Sequence, residues 1–432
     1  MFLHNLPIPP FLQRPVPVCF NLLSLAAGDA GQGYVRLVVL SGGMKLKGGG
    51  LPAGTGTVRK AEATMKVVCE KEKLNHLVQT ALRAVSSRVT MPILSGLLLR
   101  ADGRQVTACG TDLEVSIRVC IDAEVKQGGS AVVSAKMLGD IVKSLPPGRV
   151  EIESEDRFLT LRSESGVYRI RGMMPEDFPA IPDWQGESTI ECDASLFVKA
   201  VQQTSRASSS DEKRPILTGT LVERNLEDGM LRMVTTDSYR LSWKDVEIRG
   251  SLGKWEDCVV PTSALVEVAR IASGAGSGVE MKIQDNQVMF RIDDMVVRSR
   301  LIEGQFPSYR QLVPQGDRNV IEVQREPLSA VIRRALVFGN NIRLEISENK
   351  LQLSTETREV GESSEEIPVD FAGEAMEVGF NGTFLLDGIT AAGGDKLTIR
   401  MDSSKKPALI KSDEDAGFTY VLMPVRIKQD EE

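Results

Sequence analysis

The chain has 432 residues, 42% hydrophobic and 26% charged, which is typical of a globular protein with roughly two to four domains. Its 52 basic and 59 acidic residues give a net charge of −7, so the chain as a whole lacks the basic excess of a dedicated nucleic-acid binder. No apolar run reaches the ~18 residues that a membrane-spanning helix needs. These values exclude a protein that spans a membrane with helices, but they allow a basic surface confined to one face.

The first 64 residues differ from the rest of the chain, because they are rich in proline and glycine and carry few charges. An apolar stretch at residues 16–27 lacks the basic segment before it and the cleavage site after it that a signal peptide has. We predict that residues 1–64 are a disordered leader and that the patterned protein begins at Met65. A functional N-terminal arm is the alternative.

From Met65 onward, a unit of about 120 residues recurs three times. Each unit opens with an amphipathic helix, in which apolar residues recur at i, i+3 and i+4 spacing. A second helix follows midway and begins at a serine, threonine or asparagine suited to cap the first turn. The predicted helices span residues 70–85, 134–145, 194–207, 262–272, 327–337 and 381–392.

Between the helices, apolar and polar residues alternate around the turn sequences ADG, EDG and SEN, which is typical of antiparallel hairpins. A Thr-Asp pair also recurs, at Thr111-Asp112 and again at Thr236-Asp237. We therefore predict an α+β fold of three repeated domains, each with two helices packed on antiparallel sheet. The predicted boundaries are a leader at 1–64, domains at 65–186, 187–316 and 317–428, and a charged tail at 429–432.

The sequence lacks the motifs that usually carry catalysis. Its six cysteines are scattered without a C-x-x-C pair, which predicts reduced thiols in a cytoplasmic protein. The two histidines, His4 and His76, stand in no metal-ligand or triad pattern, and there is no Walker-type loop, HExxH or GxSxG. We therefore expect no catalytic residue, no metal and no cofactor. An enzyme built on the α+β repeat is the rival interpretation.

Basic residues recur on the polar faces of the predicted helices, whereas acidic residues concentrate at 151–156, 359–366 and 430–432. A basic helical surface on an otherwise acidic protein suits loose contact with the phosphates of duplex DNA, without readout of the bases. The alternative is that these side chains are only solvated.

Eight motifs follow one another along the three units, and each alone would be weak. They are MPILSGLLL (91–99), TDLEV (111–115), PEDFPAIPDW (175–184), KRPILTGTLVE (213–223), MVTTDSYRLSW (233–243), FPSYRQLVP (306–314), RLEISENKLQL (343–353) and YVLMPVRI (420–427). By their order and spacing, residues 65–427 resemble the bacterial DNA polymerase III beta subunit, the sliding clamp family.

The resemblance implies a non-catalytic processivity factor with the DNA clamp fold. Each chain would form half of a closed ring, a head-to-tail homodimer whose helices line a hole around duplex DNA without sequence preference. Partner proteins would bind it through short linear motifs: the replicative polymerase, the clamp loader, other polymerases and repair proteins. It would work in the bacterial cytoplasm, on the nucleoid during replication. A scaffold that binds peptides but not DNA is the second alternative.

The resemblance also implies three sets of site residues. The expected peptide-binding pocket lies between the second and third domains and consists of Leu217, Thr236, Ser238, Tyr239, Arg240, Leu241, Pro261, Val266, Val421, Met423, Pro424, Val425 and Arg426. Arg240 and Arg426 are expected to hold carbonyl or acidic groups of the peptide. The residues expected to face DNA are Arg88, Lys136, Lys199, Arg206, Lys213 and Arg214. The residues suggested for the dimer interface are Tyr168, Leu301 and Ile302.

The chain departs from the family pattern at the pocket. Ser238-Tyr239 stands where the family commonly has Gly-His, and 425–427 reads Val-Arg-Ile where Met-Arg-Leu is common. Residues KQDEE extend beyond the usual end. These departures leave the preferred peptide motif open.

Overall fold

The structure is a computed structural model that describes residues 64–86, 91–155, 157–184, 189–225, 229–250, 256–284, 286–314, 316 and 318–427. The predicted leader up to residue 63, Arg88 and the predicted charged tail lie outside the described residues. No helix in the described ranges has both the length and the apolar character needed to cross a membrane.

Three consecutive domains share one order of elements: a strand, a helix, five strands, a second helix and three strands. The first domain consists of β1 (Met65–Glu70), α1 (Lys71–Leu82), β2 (Gly96–Asp102), β3 (Gln105–Thr111), β4 (Val115–Asp122), β5 (Glu124–Gln127), β6 (Gly129–Ser134), α2 (Ala135–Ser144), β7 (Arg149–Glu155), β8 (Phe158–Ser163) and β9 (Gly166–Met173).

The other two domains repeat this order. The second consists of β10 (Ile190–Cys192), α3 (Ala194–Thr204), β11 (Gly219–Asn225), β12 (Met230–Thr236), β13 (Arg240–Glu247), β14 (Arg249–Gly250), β15 (Cys258–Pro261), α4 (Thr262–Ala272), β16 (Val279–Gln284), β17 (Gln287–Ile292) and β18 (Met295–Arg300). The third consists of β19 (Asn319–Gln324), α5 (Arg325–Ala335), β20 (Asn341–Ser347), β21 (Lys350–Thr357), β22 (Gly361–Pro368), β23 (Asp370–Ala372), β24 (Met376–Asn381), α6 (Gly382–Ala391), β25 (Lys396–Met401), β26 (Ala408–Lys411) and β27 (Phe418–Leu422). The predicted α+β repeat is confirmed.

Two of the three predicted N-caps of the second helices act as expected. The side chains of Ser134 and Asn381 accept the N–H groups of Met137 at 3.4 Å and Phe384 at 3.0 Å, as expected for N-caps. The predicted cap Thr262 is wrong: it is already the first residue of α4, and its hydroxyl bonds to a buried threonine of β11 instead. The N-cap position of α4 is occupied by Pro261, whose side chain cannot accept an N–H group.

The sheets cross the domain boundaries. Strand β18 of the second domain pairs antiparallel with β4 of the first, and β27 of the third domain pairs antiparallel with β13 of the second. All nine strands of the first domain belong to the 14-stranded sheet, whereas the second and third domains each divide their strands between two sheets. The strands thus form a wall that continues from one domain to the next.

The six helices lie in a row beside this wall. Each domain packs its two helices together: α1 against α2, α3 against α4, and α5 against α6. Between domains, Arg83 at the end of α1 bonds to Glu267 of α4 at 3.0 Å, and α3 contacts α6. Apolar faces of the helices, such as Leu74 and Leu77 of α1, are fully buried in the core against the sheets.

The recurring Thr-Asp pair forms a turn with a fixed geometry. The Asp237 carboxylate accepts the N–H groups of Tyr239 at 2.9 Å and Arg240 at 3.0 Å. Ser238, between Asp237 and Tyr239, has a φ of 83°, in the left-handed region that short polar side chains tolerate. The same turn recurs in the first domain, where Leu113 has φ of 79°. The repeat in the sequence therefore marks a repeated turn at the end of β3 and β12.

Candidate functional site

The junction between the second and third domains gathers several predicted pocket residues. In the β13–β27 pairing, Leu241 lies opposite Val421. The Met423 N–H then donates to the Tyr239 carbonyl at 2.9 Å, and the Val425 N–H donates to a carbonyl of β24 at 2.8 Å. The last residues of the described chain therefore cross the boundary and fix both domains to one another.

A separate apolar cluster underlies this junction. It consists of the buried residues Val234, Leu241, Trp243, Val259, Phe306, Tyr309, Leu409 and Val421, with Ile216, Leu221, Ile302 and Val313 packed around it. Two large hydrophobic side chains, Tyr239 and Met423, remain exposed. A buried apolar cluster beneath exposed hydrophobic side chains suits aliphatic or aromatic anchors of a peptide.

The remaining predicted pocket residues are distributed over the second and third domains, and not all of them lie at this junction. Leu217 is buried in the turn before β11, and Pro261 lies opposite Gly219 in the β11–β15 pairing. Val266 is half-buried on α4 and packs against the main core of the first two domains. On the third domain's side, Pro424 is half-buried and Arg426 is exposed. Ile302, suggested for the dimer interface, belongs to the junction cluster instead.

Arg240 was expected to hold carbonyl or acidic groups of a peptide, but its side chain contacts other residues of this chain instead. Its guanidinium is almost buried, bonds to Asp237 at 2.9 Å and to Asp387 of α6 at 2.6 Å, and stacks on the Phe384 ring at 4.1 Å. The second oxygen of Asp387 accepts Arg206 at 2.8 Å. With its donors engaged inside the chain, Arg240 holds α6 against the second domain rather than presenting its charge to a ligand.

A second ion-pair network joins the same two domains. The buried Asp415 carboxylate accepts Lys199 and Gln203, each at 2.8 Å, and also Lys244. Burial alone would raise the pKa of Asp415, but hydrogen bonds from Lys199, Lys244 and Gln203 outweigh it and hold the pKa below its ordinary value. Lys199, which was expected to face DNA, is therefore partly engaged in a domain contact.

The helix layer is basic although the chain is acidic. The six helices carry nine lysines and arginines against five aspartates and glutamates, a balance of +4, whereas the whole chain has −7. Lys136 and Lys213 are exposed, and neither forms an ion pair with another described residue. Arg206 and Arg214 are paired with Asp387 and Asp211.

Among the strand edges that lack a neighbour within the described residues, two come from the first and third domains and are equivalent to strands that pair across domain boundaries. In β9, residues 166–171 pair only with β8, and β22 at the end of its sheet pairs only with β21. Val167 on β9 is 62% exposed, and Val360 just before β22 is 59% exposed. Long unpaired edges with exposed apolar residues are sites of association. Tyr168, suggested for the dimer interface, lies on β9, whereas Leu301 packs inside the chain.

The sequence analysis missed the groups that hold the junction. Asp387 and Phe384 of α6 and the buried residues Phe306 and Tyr309 come from segments distant from β13. Asp387 is the one charged residue in the sequence of α6, and this was the available signal for it. Phe306 and Tyr309 belong to the FPSYRQLVP motif, but no role was predicted for them.

Comparison with known proteins agrees with this architecture. The models of the DNA polymerase III beta subunit match the chain at residues 65–182 for the N-terminal domain, 191–308 for the central domain and 310–426 for the C-terminal domain. The beta sliding clamp of Synechococcus elongatus is 31% identical over 376 residues, which cover 84% of this chain and 100% of the relative.

Solved structures show the same relationship. The DNA polymerase sliding clamp of Bacillus subtilis superposes with a TM-score of 0.81 at 28% identity, covering 85% of this chain and 100% of that chain. A sliding clamp of Pseudomonas aeruginosa, solved with griselimycin bound, gives a TM-score of 0.79 at 28% identity, covering 84% of this chain and 100% of that chain. The chain therefore belongs to the family of the bacterial DNA polymerase III beta subunit, the sliding clamps.

Proposed function

We propose that two copies of this chain close head to tail into a ring around duplex DNA and tether polymerases to it. The chain is a non-catalytic sliding clamp and processivity factor of DNA polymerase III. One observation above all supports the ring: the two strand edges that would repeat the pairing between domains, on β9 and β22, have no neighbour among the described residues.

The internal repeat supplies a register for the missing pairing. Strand β4 pairs with β18, and β13 with β27, so β22 is expected to pair with β9 of a second copy. By position in the repeat, Gly361 would lie opposite Ile170, Glu362 opposite Arg169, and Ser363 opposite Tyr168. The Glu362–Arg169 pair places opposite charges together, which favours this register.

Duplex DNA would contact the helix layer. DNA carries about one negative charge per 1.7 Å of its axis, so a moderately basic lining holds it through the phosphates while permitting sliding. Lys136 and Lys213 would contact phosphates directly, as would Arg88, which lies outside the described residues. Lys199, Arg206 and Arg214, being paired with acids, would contribute less.

The groove at the junction of the second and third domains would take short linear motifs of the polymerase, the clamp loader and repair proteins. Its support is the buried apolar cluster beneath the exposed Tyr239 and Met423. We also propose that the domain boundaries lie at 65–186, 187–316 and 317–428. The protein would work in the cytoplasm, on the nucleoid.

Replacing Met423 and Pro424 with alanine is expected to weaken binding of a polymerase-derived peptide by at least about tenfold, since truncating an apolar anchor commonly removes more than about 1.4 kcal/mol. Fluorescence anisotropy with a labelled peptide measures the affinity, and light scattering checks that the assembly is unchanged. The exposed lysine of the β25–β26 turn provides a control as Lys405→Ala. A peptide affinity equal to that of the unmodified protein would place the groove elsewhere.

A further inference from the structure

The first domain carries an apolar cluster of its own, equivalent by the repeat to the one beneath the proposed peptide site. Its buried residues are Ile93, Leu94, Cys109, Val132 and Phe178, with Leu98, Met173 and Ile181 packed around them. Their counterparts in the second-domain cluster include Ile216, Val234, Val259 and Phe306. A short 3₁₀ turn with the sequence Pro-Ile-Leu borders each cluster, at Pro92–Ser95 and at Pro215–Thr218. The repeat therefore duplicates the apolar base of the peptide site.

The surfaces above the two clusters differ in polarity. In the second domain, the Arg214 guanidinium donates to the Ser238 hydroxyl at 3.2 Å. At the equivalent positions, the first domain has Met91, 46% exposed, and Leu113, 42% exposed. A polar pair is thus replaced by two exposed hydrophobic side chains, and Leu113 occupies a left-handed turn position that disfavours leucine.

A third exposed hydrophobic side chain, Met174, belongs to the same surface. It is 37% exposed and directly follows Met173, which packs against the cluster. Met173 lies close to the Pro92–Ser95 turn, because a Cβ added to the next residue, Gly96, would lie 2.7 Å from its terminal carbon. Met91, Leu113 and Met174 together form what we call the domain-1 apolar surface. Exposed apolar residues grouped around a buried cluster mark a contact site.

Exposed acids border this surface. Glu114 follows Leu113, and Glu176 and Asp177 follow Met174 with one proline between. Within the described residues, Glu176 and Asp177 form no ion pair, and the carboxylate of Glu114 has only a distant partner, Arg300, at 3.9 Å. The second domain has no charged residue at the equivalent positions, which are Tyr239, Gly304 and Gln305. The rim of the domain-1 apolar surface is therefore acidic, whereas the corresponding rim of the second domain is not.

Nearby arginines do not offset this negative charge. Arg118 and Arg100 both act electrostatically on the Cys109 thiol of the cluster. Arg118, however, is already ion-paired with Asp183. Arg100 lies on β2, four residues beyond Gly96, which is roughly 13 Å along the strand. Among the described residues, the acids that follow Met174 therefore keep an uncompensated charge.

We propose that the domain-1 apolar surface is a second docking site, which takes a short peptide segment of a partner protein. In that segment, lysines or arginines flank two or three apolar anchors. Methionine side chains adapt to aliphatic or aromatic anchors, and the acidic rim attracts and orients the flanking cations. Charge argues against two other occupants, since a second copy of this chain has a net charge of −7 and DNA is an anion. The inference rests on the proposed function, because the repeat relates this surface to the peptide site at the other junction.

Fluorescence anisotropy with synthetic peptides tests the proposal on the full-length protein. The probe is a labelled peptide with Leu-Phe-Leu between two lysines on each side, and its counterpart has glutamates in place of the lysines. We expect the lysine peptide to bind at least about tenfold tighter at low salt, and the difference to shrink as added salt screens the rim. Equal affinities of the two peptides would overturn the proposal.

Two double variants separate the apolar contact from the charge. Met91→Gln with Leu113→Ser removes exposed hydrophobic side chains without changing any charge, and it is expected to weaken binding of the lysine peptide at least about tenfold. Glu176→Gln with Asp177→Asn removes charge from the rim and is expected to weaken binding about threefold. Thermal unfolding checks both folds, and the second variant decides if the first is unstable, because its two positions are exposed. An unchanged affinity in either folded variant would contradict the proposal.

The site at the other junction provides the matched control. Tyr239→Ser with Met423→Ser is expected to leave the affinity for the lysine peptide within about twofold, because the two sites are independent. A larger loss would place the binding there and overturn the inference. The polymerase-derived peptide should instead lose affinity in this control alone; if it does not, the proposed function fails while the lysine peptide still decides the second site. Light scattering of Met91→Gln, Leu113→Ser completes the test, since an altered assembly mass would assign the surface to a contact between copies.

Discussion

Replacing Ser364 with proline is expected to convert the assembly from a dimer to a monomer of 47.2 kDa without unfolding the chain. Where β4 and β18 pair, the Arg300 N–H donates to the Glu114 carbonyl, so these two opposite residues form a hydrogen-bonded pair. Hydrogen-bonded and non-bonded pairs alternate along antiparallel strands, so every second residue from Glu114 onward faces β18, and the equivalent residues of β22 face its free edge. By this alternation, the N–H groups of Glu362 and Ser364 face the free edge of β22. Proline removes that donor and is tolerated at an edge.

The expected effect is large because the proposed ring would contain two identical seams. Losing one ladder bond costs about 1–1.5 kcal/mol, so two seams raise the dissociation constant by roughly 30- to 140-fold, before the steric clash of the proline ring is counted. Light scattering at micromolar protein measures the mass, and thermal unfolding checks the fold. Ser364→Ala keeps the N–H and is expected to remain a dimer. A dimeric Ser364→Pro protein with an unchanged dissociation constant would show that β22 is not the seam.

Replacing Asp415 with asparagine is expected to lower the free energy of unfolding by about 3–5 kcal/mol, because it leaves the buried Lys244 ammonium without its counter-charge. Lys199 can turn to solvent, but Lys244 lies between the two domains. Denaturant unfolding followed by circular dichroism measures the loss. Asp413→Asn, an exposed carboxylate two residues away in the same short helix, is the control and is expected to change stability by less than about 0.5 kcal/mol.

The same network predicts a pH dependence. The pKa of Asp415 is lower in the folded chain than in the unfolded chain, so its ion pairs contribute fully above the unfolded value of about 3.9. The contribution is lost as the pH falls through the lower, folded-state pKa. The unmodified protein should therefore lose stability in acid more steeply than Asp415→Asn. Parallel pH profiles of the two proteins would contradict the assignment.

Local patterns in the sequence predicted the architecture well. The helix at Thr262–Ala272 was predicted with its observed bounds, and the caps Ser134 and Asn381 act as expected. These features depend on residues that are neighbours along the chain, so they can be predicted from a single sequence. Helix α5 begins at Arg325, two residues before its predicted start, because proline is tolerated within a first turn.

The long-range ion pairs could not be predicted in the same way. Arg240 and Asp387 are 147 residues apart, and Gln203 and Asp415 are 212 apart. Helical spacing places Lys199 on a polar face, but it does not show that a carboxylate of another domain lies beside that face. The basic layer therefore contains fewer uncommitted cations than the sequence indicates. The pocket residues likewise were predicted from family resemblance rather than from periodicity.

The most direct test of a closed ring is its response to cutting the DNA. With a clamp loader and ATP, the protein is loaded onto a nicked circular plasmid, the complex is isolated by gel filtration, and the plasmid is then linearised with a single-site restriction enzyme. A ring held on DNA by topology should stay on the circle and slide off the linear product. Equal retention before and after linearisation would mean that the protein binds along the DNA without encircling it.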